Sequence, residues 1–540
     1  NLFKIVEDGV IPTFIALLKT GVPDTVKHCC AALCQLAQDS ASCEKIVDLG
    51  AVPHIVAGVE NGDISTKQSC CSVLSALSFQ SRCRENLCSM GALTALISLA
   101  EMGDNDTSLR CALAFANLSL EPTVQNLMIK QGVLPILKKL SNSYSEENQM
   151  NVAKAFANLS CNVGSEKIMI EQDCVGALMM IGMVRSVHDT TKQVCIKALQ
   201  NLLNESSVQI LCEQGLVSLL SNFSKLSDFP TMRVCANIYN FLSSSEYGRK
   251  QLIEKSSALY GLLNLLQTNA ENPDRTTQVI VGKTICNLLC HSECQAQIIS
   301  VGAIAKMRHI ATLGDTDSEL NCSYAFFLIC GEESNRNTIV ATGAVPTIIL
   351  LARSPNDETR WNAIRVIANL AQFEDTRESL LGSNVIGALG KIVSEGDANG
   401  EVRMLNIAAR SLCNLALSSS YNGVMVEEGM VKALATIQAR LSDDKTLNVV
   451  ISNTLRCMSS ANGTLELMLE DGAIELMAKL SDGSSEVAYD GCLTIFRLAQ
   501  INSLRSEIIK RGGLEILGRV LDLEKCWELA ASTCFLRSLI

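Results

Sequence analysis

Aromatic residues are scarce: they make up 4% of the 540 residues, and Trp361 and Trp527 are the two tryptophans. Sheets and sandwiches draw on aromatic and β-branched side chains. A chain that is 48% hydrophobic mainly through Leu, Ala, Ile, Val and Cys suits closely packed helices better. Nine prolines and 33 glycines are too few for a disordered or loop-dominated chain. Long apolar runs are missing as well. Nothing reaches the ~18–20 residues of a membrane span, and the runs at 176–184 and 345–352 have the length of buried helices. Basic charge is in deficit, with 45 Lys and Arg against 56 Asp and Glu and a net charge of −11. That excludes a general nucleic-acid binder, which needs a basic surface to displace counterions, but leaves room for a local basic strip.

Catalytic and metal motifs are equally thin. The five histidines, His28, His54, His188, His291 and His309, are scattered along the chain. None sits in HExxH, and no GxSxG or GxxxxGK[ST] supplies a nucleophile or phosphate loop. Cys290-His291-Ser292-Glu293-Cys294 is the best metal-like cluster, yet it offers too few properly spaced ligands for structural zinc. His28-Cys29-Cys30 with Cys34 is similar, and both read as ordinary helix packing. The acidic turn at 314–319 lacks the twelve-residue calcium-loop pattern. The expectation is therefore no enzyme, no catalytic residue, no metal and no cofactor.

What is abundant is cysteine and repetition. The 24 cysteines include the adjacent pairs Cys29-Cys30 and Cys70-Cys71 and fall mostly on apolar helix faces. A long chain with scattered thiols reads as reduced and intracellular: cytoplasmic, cytoskeletal or ciliary, with the nucleus not excluded. No signal peptide or direct membrane insertion is indicated. Gly9, Gly50, Gly91 and Gly132, each followed by two apolar or small residues and often Pro, stand 41 residues apart. The series continues through Asp173, Gly215, Ser256, Gly302, Gly343, Asn384, Gly429, Gly472 and Gly512, giving thirteen anchors. Steps run from 40 to 43 residues except two of about 45, with inserts at 269–275 and 395–401.

Each unit has one grammar. A short helix, as at 44–49 or 337–342, ends at the glycine, which tolerates the left-handed conformation. Proline three positions later suits the first turn of a second, apolar helix. A polar turn follows, such as Ser354-Pro355-Asn356-Asp357, and then the longest helix, as at 111–118, 151–159, 361–370 and 406–415. The chain starts inside such a helix at 2–8 and ends in an apolar one at 526–540. Solenoids normally carry polar caps, so the expectation is a fragment of a longer chain.

Gly343-Ala-Val-Pro-Thr-Ile-Ile-Leu-Leu-Ala352 followed by Ala368-Asn-Leu-Ala371, and Gly132-Val-Leu-Pro135 with Ala157-Asn-Leu-Ser160, resemble the armadillo repeat. HEAT repeats lack this pairing of Gly and Asn. The resemblance covers essentially residues 1–540 and implies an all-α, right-handed solenoid of about thirteen three-helix repeats in one continuous array. It also implies that the third helices line a concave groove in which an Asn holds the backbone of an extended ligand. Matching residues are Asn117, Asn158, Asn201, Asn240, Asn287, Asn369 and Asn414. An Asn amide offers both donor and acceptor, as a peptide unit requires.

One turn before these Asn residues stand Lys154, Lys197, Lys283, Arg365 and Arg410, a basic stripe in an acidic protein. The other reading is that Asn bridges neighbouring repeats and Lys is a solvated face. The ladder lapses at Gln35, Ala76, Leu328, Cys457 and Arg497. At repeat 8, counted from Gly9, Tyr324 and Phe326-Phe327 replace the polar pattern and read as core rather than pocket. Import adaptors of the family pair the groove Asn with Trp and nearby acids; that Trp is absent here and the stripe has the opposite charge. The expected function is a non-enzymatic scaffold or adaptor that binds an acidic, extended or helical segment of another protein. The alternatives are a structural subunit of a microtubule-based (ciliary or flagellar) assembly and the substrate-binding array of a larger enzyme such as a ubiquitin ligase.

Overall fold

The computed structural model describes residues 9–184, 187–226, 228–266, 274–395, 402–480 and 484–521. The expected helices at 2–8 and 526–540, Trp527 and most of the two inserts lie outside the described residues. Within them every regular element is a helix. Two compact units divide the chain, Asn1–Gln267 and Thr268–Ile540.

In the first unit the third helices of repeats 1 to 6 are Pro23–Leu36, Ile64–Ser78, Asn105–Leu118, Glu146–Ser160, Asp189–Leu202 and Phe229–Ser244. Each packs on the next in chain order. In the second unit those of repeats 7 to 12 are Arg275–Leu289, Thr316–Cys330, Asp357–Ala371, Val402–Ala416, Lys445–Met458 and Ser485–Ala499, stacked in the same way. The seams are dry: Phe115, Leu159, Phe326 and Leu412 are all 0% exposed. Each repeat therefore buries its apolar faces mainly against its neighbours.

The junctions follow from backbone chemistry. Ten anchor glycines have positive φ, among them Gly50 at 78° and Gly132 at 83°. Asp173 and Asn384, at φ 56° and 57°, are the non-glycine residues that adopt the same conformation among the described residues. Asp and Asn tolerate it through local hydrogen bonding, and Asn384 Oδ1 accepts from the Gly387 N–H at 3.2 Å. Ser256 differs. There the helix Glu246–Glu254 passes into Ser256–Asn264 through an extended Lys255 (φ −115°), with no left-handed residue.

Third helices begin earlier than apolar periodicity suggests, at Asn105, Glu146, Asp357 and Val402. At Asn105, Glu146 and Asp357 the first turn is polar, so it carries no hydrophobic signal, and the preceding turn supplies the cap. Asp63, Asp104, Ser145, Asp228, Asp315, Asn356 and Asp444 all accept from backbone N–H groups at these starts. At the other end, a polar side chain on the next first helix reaches six residues back to a terminal carbonyl. Arg84 Nε donates to Ser78 O at 3.1 Å, Gln125 Nε2 to Ser119 O at 2.8 Å, and Arg377 Nε to Ala371 O at 2.8 Å. Arg336 and Arg505 do the same to Cys330 and Ala499. The carbonyls a helix leaves orphaned at its C-terminus are thus satisfied, by a cation where the dipole favours one.

Asp444 shows what the caps contribute. It accepts from the Leu447 N–H at 3.1 Å and the Thr446 hydroxyl at 2.6 Å, and Asn406 Nδ2 of the preceding third helix donates to it at 3.0 Å. Hydrogen bonding from Thr446, then from Leu447, holds its carboxyl below the usual range. A depressed folded pKa gives stability that is present above the unfolded value of about 3.9 and is lost as pH falls through the folded one. Asp444→Ala is expected to cost about 1–2 kcal/mol at neutral pH and to remove part of that acid-side loss. Hydrogen exchange across 402–458 at pH 7 and pH 3 reads both effects.

Candidate functional site

The seven ladder Asn residues are all half-buried on their third helices. Three share one geometry. Asn117 Nδ2 donates to Ser78 Oγ at 3.0 Å, Asn158 Nδ2 to Ser119 Oγ at 2.9 Å, and Asn201 Nδ2 to Ser160 Oγ at 3.0 Å. Each serine lies two residues past the ladder position of the preceding repeat, and its own hydroxyl donates to a carbonyl three residues back, at 2.6 to 2.8 Å. A relay from amide to hydroxyl to carbonyl therefore ties each repeat to the one before it. Asn369 hydrogen-bonds the thiol of Cys330, which occupies the serine's place. At the lapsed position of repeat 12, Arg497 Nη1 reaches Ser459 Oγ at 3.1 Å.

The bridging role is thus present in the structure, and it uses the amide nitrogen: Asn158 Nδ2 also donates to Ala116 O at 3.4 Å and Asn201 Nδ2 to Cys161 Sγ at 3.2 Å. The Oδ1 atoms of Asn117, Asn158 and Asn201 accept no hydrogen bond from any described residue and are not buried. Asn240 and Asn287 are also engaged within the protein. The serine partners had a sequence signal: the Asn-x-Ser triplets Asn117-Leu-Ser119 and Asn158-Leu-Ser160, 41 residues apart.

Of the basic residues one turn earlier, Lys154, Lys197, Lys283 and Arg410 are exposed and Arg365 is half-buried. Lys154 and Lys197 belong to the first unit, the other three to the second. None of the five forms an ion pair with a described residue. Arg410 Nε is held by Asn406 Oδ1 at 2.8 Å, which fixes its direction without neutralising it. Other cations do pair across repeats, for example Lys138 with Asp173 and Lys432 with Asp471, both at 2.7 Å.

Repeat 8 departs from a pure core reading. Phe326 is buried at 0% exposure, whereas Tyr324 is 39% exposed and Phe327 half-buried. Alternate positions on one helix cannot all face inward, and Tyr324 occupies the register of the basic residues. The Arg365 guanidinium lies over the Phe327 ring at 3.5 Å. This stacking had no sequence signal, because it joins two third helices.

Among the described residues no group of three or more His, Cys, Asp or Glu converges on a metal-binding geometry. The 22 described cysteines are free thiols. Cys30 and Cys70 lie 3.7 Å apart and Cys71 and Cys111 3.6 Å, buried between successive third helices. Burial pushes the Cys195 thiol up to about 12, so it is a poor nucleophile and acts as a packing group.

Repeated three-helix units, with third helices layered on third helices, define an α-solenoid. Residues 3–38 match the Armadillo/beta-catenin-like repeat family. With the junctions and the layered helices, that match gives the chain an armadillo-type solenoid fold. A chain from a structure concerned with a phosphorylation switch controlling the interaction between cadherin and beta-catenin shares the fold. It is 14% identical, with a TM-score of 0.57, over 91% of this chain and 99% of that one. Protein CELLULOSE SYNTHASE INTERACTIVE 2 of Arabidopsis thaliana is 23% identical over 240 residues, which is 43% of this chain. The match spans 11% of that relative's length. Among the described residues no helix is long and apolar enough to cross a membrane.

Proposed function

We propose that this chain is a protein-interaction scaffold whose third-helix face binds an acidic segment of a partner. The observation that carries the reading is the cations without an ion pair to any described residue, Lys154 and Lys197 in the first unit and Lys283, Arg365 and Arg410 in the second, with open Oδ1 acceptors on Asn158 and Asn201 one turn after the first two. Helices pack ~8–10 Å apart and an extended chain rises ~3.3 Å per residue, so each repeat meets roughly every third ligand residue. The Oδ1 atoms of Asn117, Asn158 and Asn201 accept from ligand backbone N–H groups, and the cations take carboxylates and steer the encounter. The reading takes residues 1–540 as one continuous array in a reducing, intracellular setting, to which the free thiols are suited. The name of the Arabidopsis relative describes that protein as interactive with cellulose synthase, and an adaptor role here is of the same kind.

The test is a comparative pull-down from native extract. The intact chain is set beside a variant with all five cations changed to Glu, after circular dichroism confirms its helicity. Selective loss of partners, with the lost proteins carrying acidic segments, is the expected result. An unchanged partner set would make the stripe a solvated face and move the structural-subunit reading forward.

A further inference from the structure

In the second unit the binding face changes character at repeat 8. Along the register one turn before the ladder position, the side chains read Lys283, Tyr324, Arg365 and Arg410. Tyr324 and Phe327 have ring centroids 6.4 Å apart. The Arg365 guanidinium carbon sits 3.5 Å from the Phe327 centroid and 5.6 Å from that of Trp361. Other half-buried arginines spend their N–H groups on helix ends, as Arg336 does on Cys330 O at 3.0 Å and Arg377 on Ala371 O at 2.8 Å, or on carboxylates, as Arg110 does on Asp106 at 2.8 Å. Arg365 has no hydrogen bond or ion pair with any described residue. Its guanidinium is stacked and partly stripped of water, and that burial lowers its pKa from the ordinary value.

A stacked guanidinium keeps its in-plane N–H edge free, and partial desolvation strengthens what that edge gains from a carboxylate. The exposed ring of Tyr324 beside it gains by burial against another large apolar side chain. Flanking cations repeat at intervals that correspond to roughly three residues of extended ligand.

We propose that Tyr324, Phe327, Trp361 and Arg365 form the specificity pocket of this face, taking an aromatic side chain of an acidic partner segment. Carboxylates about three residues to either side of that aromatic meet Lys283 and Arg365, and one about six residues away meets Arg410. The proposal rests on the third-helix face being the binding surface. Rings beside cations also stack nucleotide bases, but the formal charge of −11 opposes a polyanion, and the pocket is assigned to protein.

The experiment selects a phage-displayed library of random twelve-residue peptides on the whole 540-residue chain and measures the enriched peptide, synthesised and labelled, by fluorescence anisotropy. Enriched sequences are expected to hold one aromatic residue with acidic residues at about three-residue intervals. Tyr324→Ala, Phe327→Leu and Arg365→Lys should each weaken the peptide by about tenfold or more, as should Lys283→Glu. Arg365→Lys keeps the charge and loses only the stack and fork, and unchanged thermal melting excludes unfolding as the cause. If Lys283→Glu weakens binding while Tyr324→Ala and Arg365→Lys do not, the pocket is overturned and the face survives. If none of the four matters, both fall. Enrichment of peptides without the aromatic overturns the pocket. So does a twelve-nucleotide oligothymidylate that binds as tightly and is lost with Tyr324→Ala, since the site then serves nucleic acid.

Discussion

Leu118→Asp is expected to unfold repeats 2 to 4 while leaving the rest of the chain protected. Leu118 is 1% exposed at the end of Asn105–Leu118, a helix packed on Ile64–Ser78 before it and Glu146–Ser160 after it. An aspartate there puts a charge into a seam that buries Leu118 almost completely, so that charge is desolvated. The cost is on the order of 4 kcal/mol or more, from lost apolar burial together with an unpaired buried charge. In a repeat array each unit contacts mainly its neighbours, so the damage stays local and a single unfolding free energy does not describe it. Hydrogen exchange is the suitable probe. Amides of 64–78, 105–118 and 146–160 should lose protection by several orders of magnitude, while those of 402–458 keep theirs. Uniform loss over the whole chain would show that the array unfolds as one cooperative body.

The same locality explains what could be read from sequence. A 41-residue period, a junction glycine and a long apolar helix are each set within one repeat, so Gly50, Pro53 and Leu118 announce their roles without a structure. Apolar periodicity also names the seam residues correctly, because Phe115, Phe156 and Leu159 recur at helical spacing and are buried. It fails where the partner lies a repeat away or the helix turn is polar. The Asn117–Ser78 bond spans 39 residues. The first turn of Asn105–Leu118 is polar throughout and merges, on the page, with the turn before it. Repeat 8 shows the limit most sharply. Tyr324, Phe326 and Phe327 are adjacent aromatics in sequence, but a helix turns about 100° per residue, so Phe326 enters the core while Tyr324 and Phe327 reach the face where Arg365 waits. Which of three neighbouring rings is exposed depends on the helix phase, and only packing fixes that. The basic stripe was visible as residue types; that its members lack ion pairs among the described residues was not.

Arg456→Met is expected to destabilise repeats 11 and 12 by about 1–3 kcal/mol, the range for leaving a buried polar group unpaired, because Asp490 is buried while the Arg456 side chain is 29% exposed. Asp490, 7% exposed on Ser485–Ala499, meets Arg456 Nε at 2.7 Å and accepts from the Ser452 hydroxyl at 2.9 Å. Even with that guanidinium present, burial raises the carboxyl above its usual value, and nearby Glu486 adds to the rise. A carboxyl whose folded pKa is raised contributes stability that is fully present below the unfolded value and lost as pH climbs through the folded one. That is the opposite sign to Asp444. Without Arg456 the charge of Asp490 has only a hydroxyl for company, so its folded pKa climbs further. The deficit of Arg456→Met relative to the parent chain should therefore shrink as pH is lowered from 8 towards 5. Adding Asp490→Asn to Arg456→Met should restore most of the loss at pH 8, because a neutral amide needs no counter-charge. Hydrogen exchange across 445–458 and 485–499 measures both. A deficit that is equal at the two pH values and untouched by Asp490→Asn would assign the loss to Arg456's packing stem. The ion pair would then hold orientation between these helices and little of their stability.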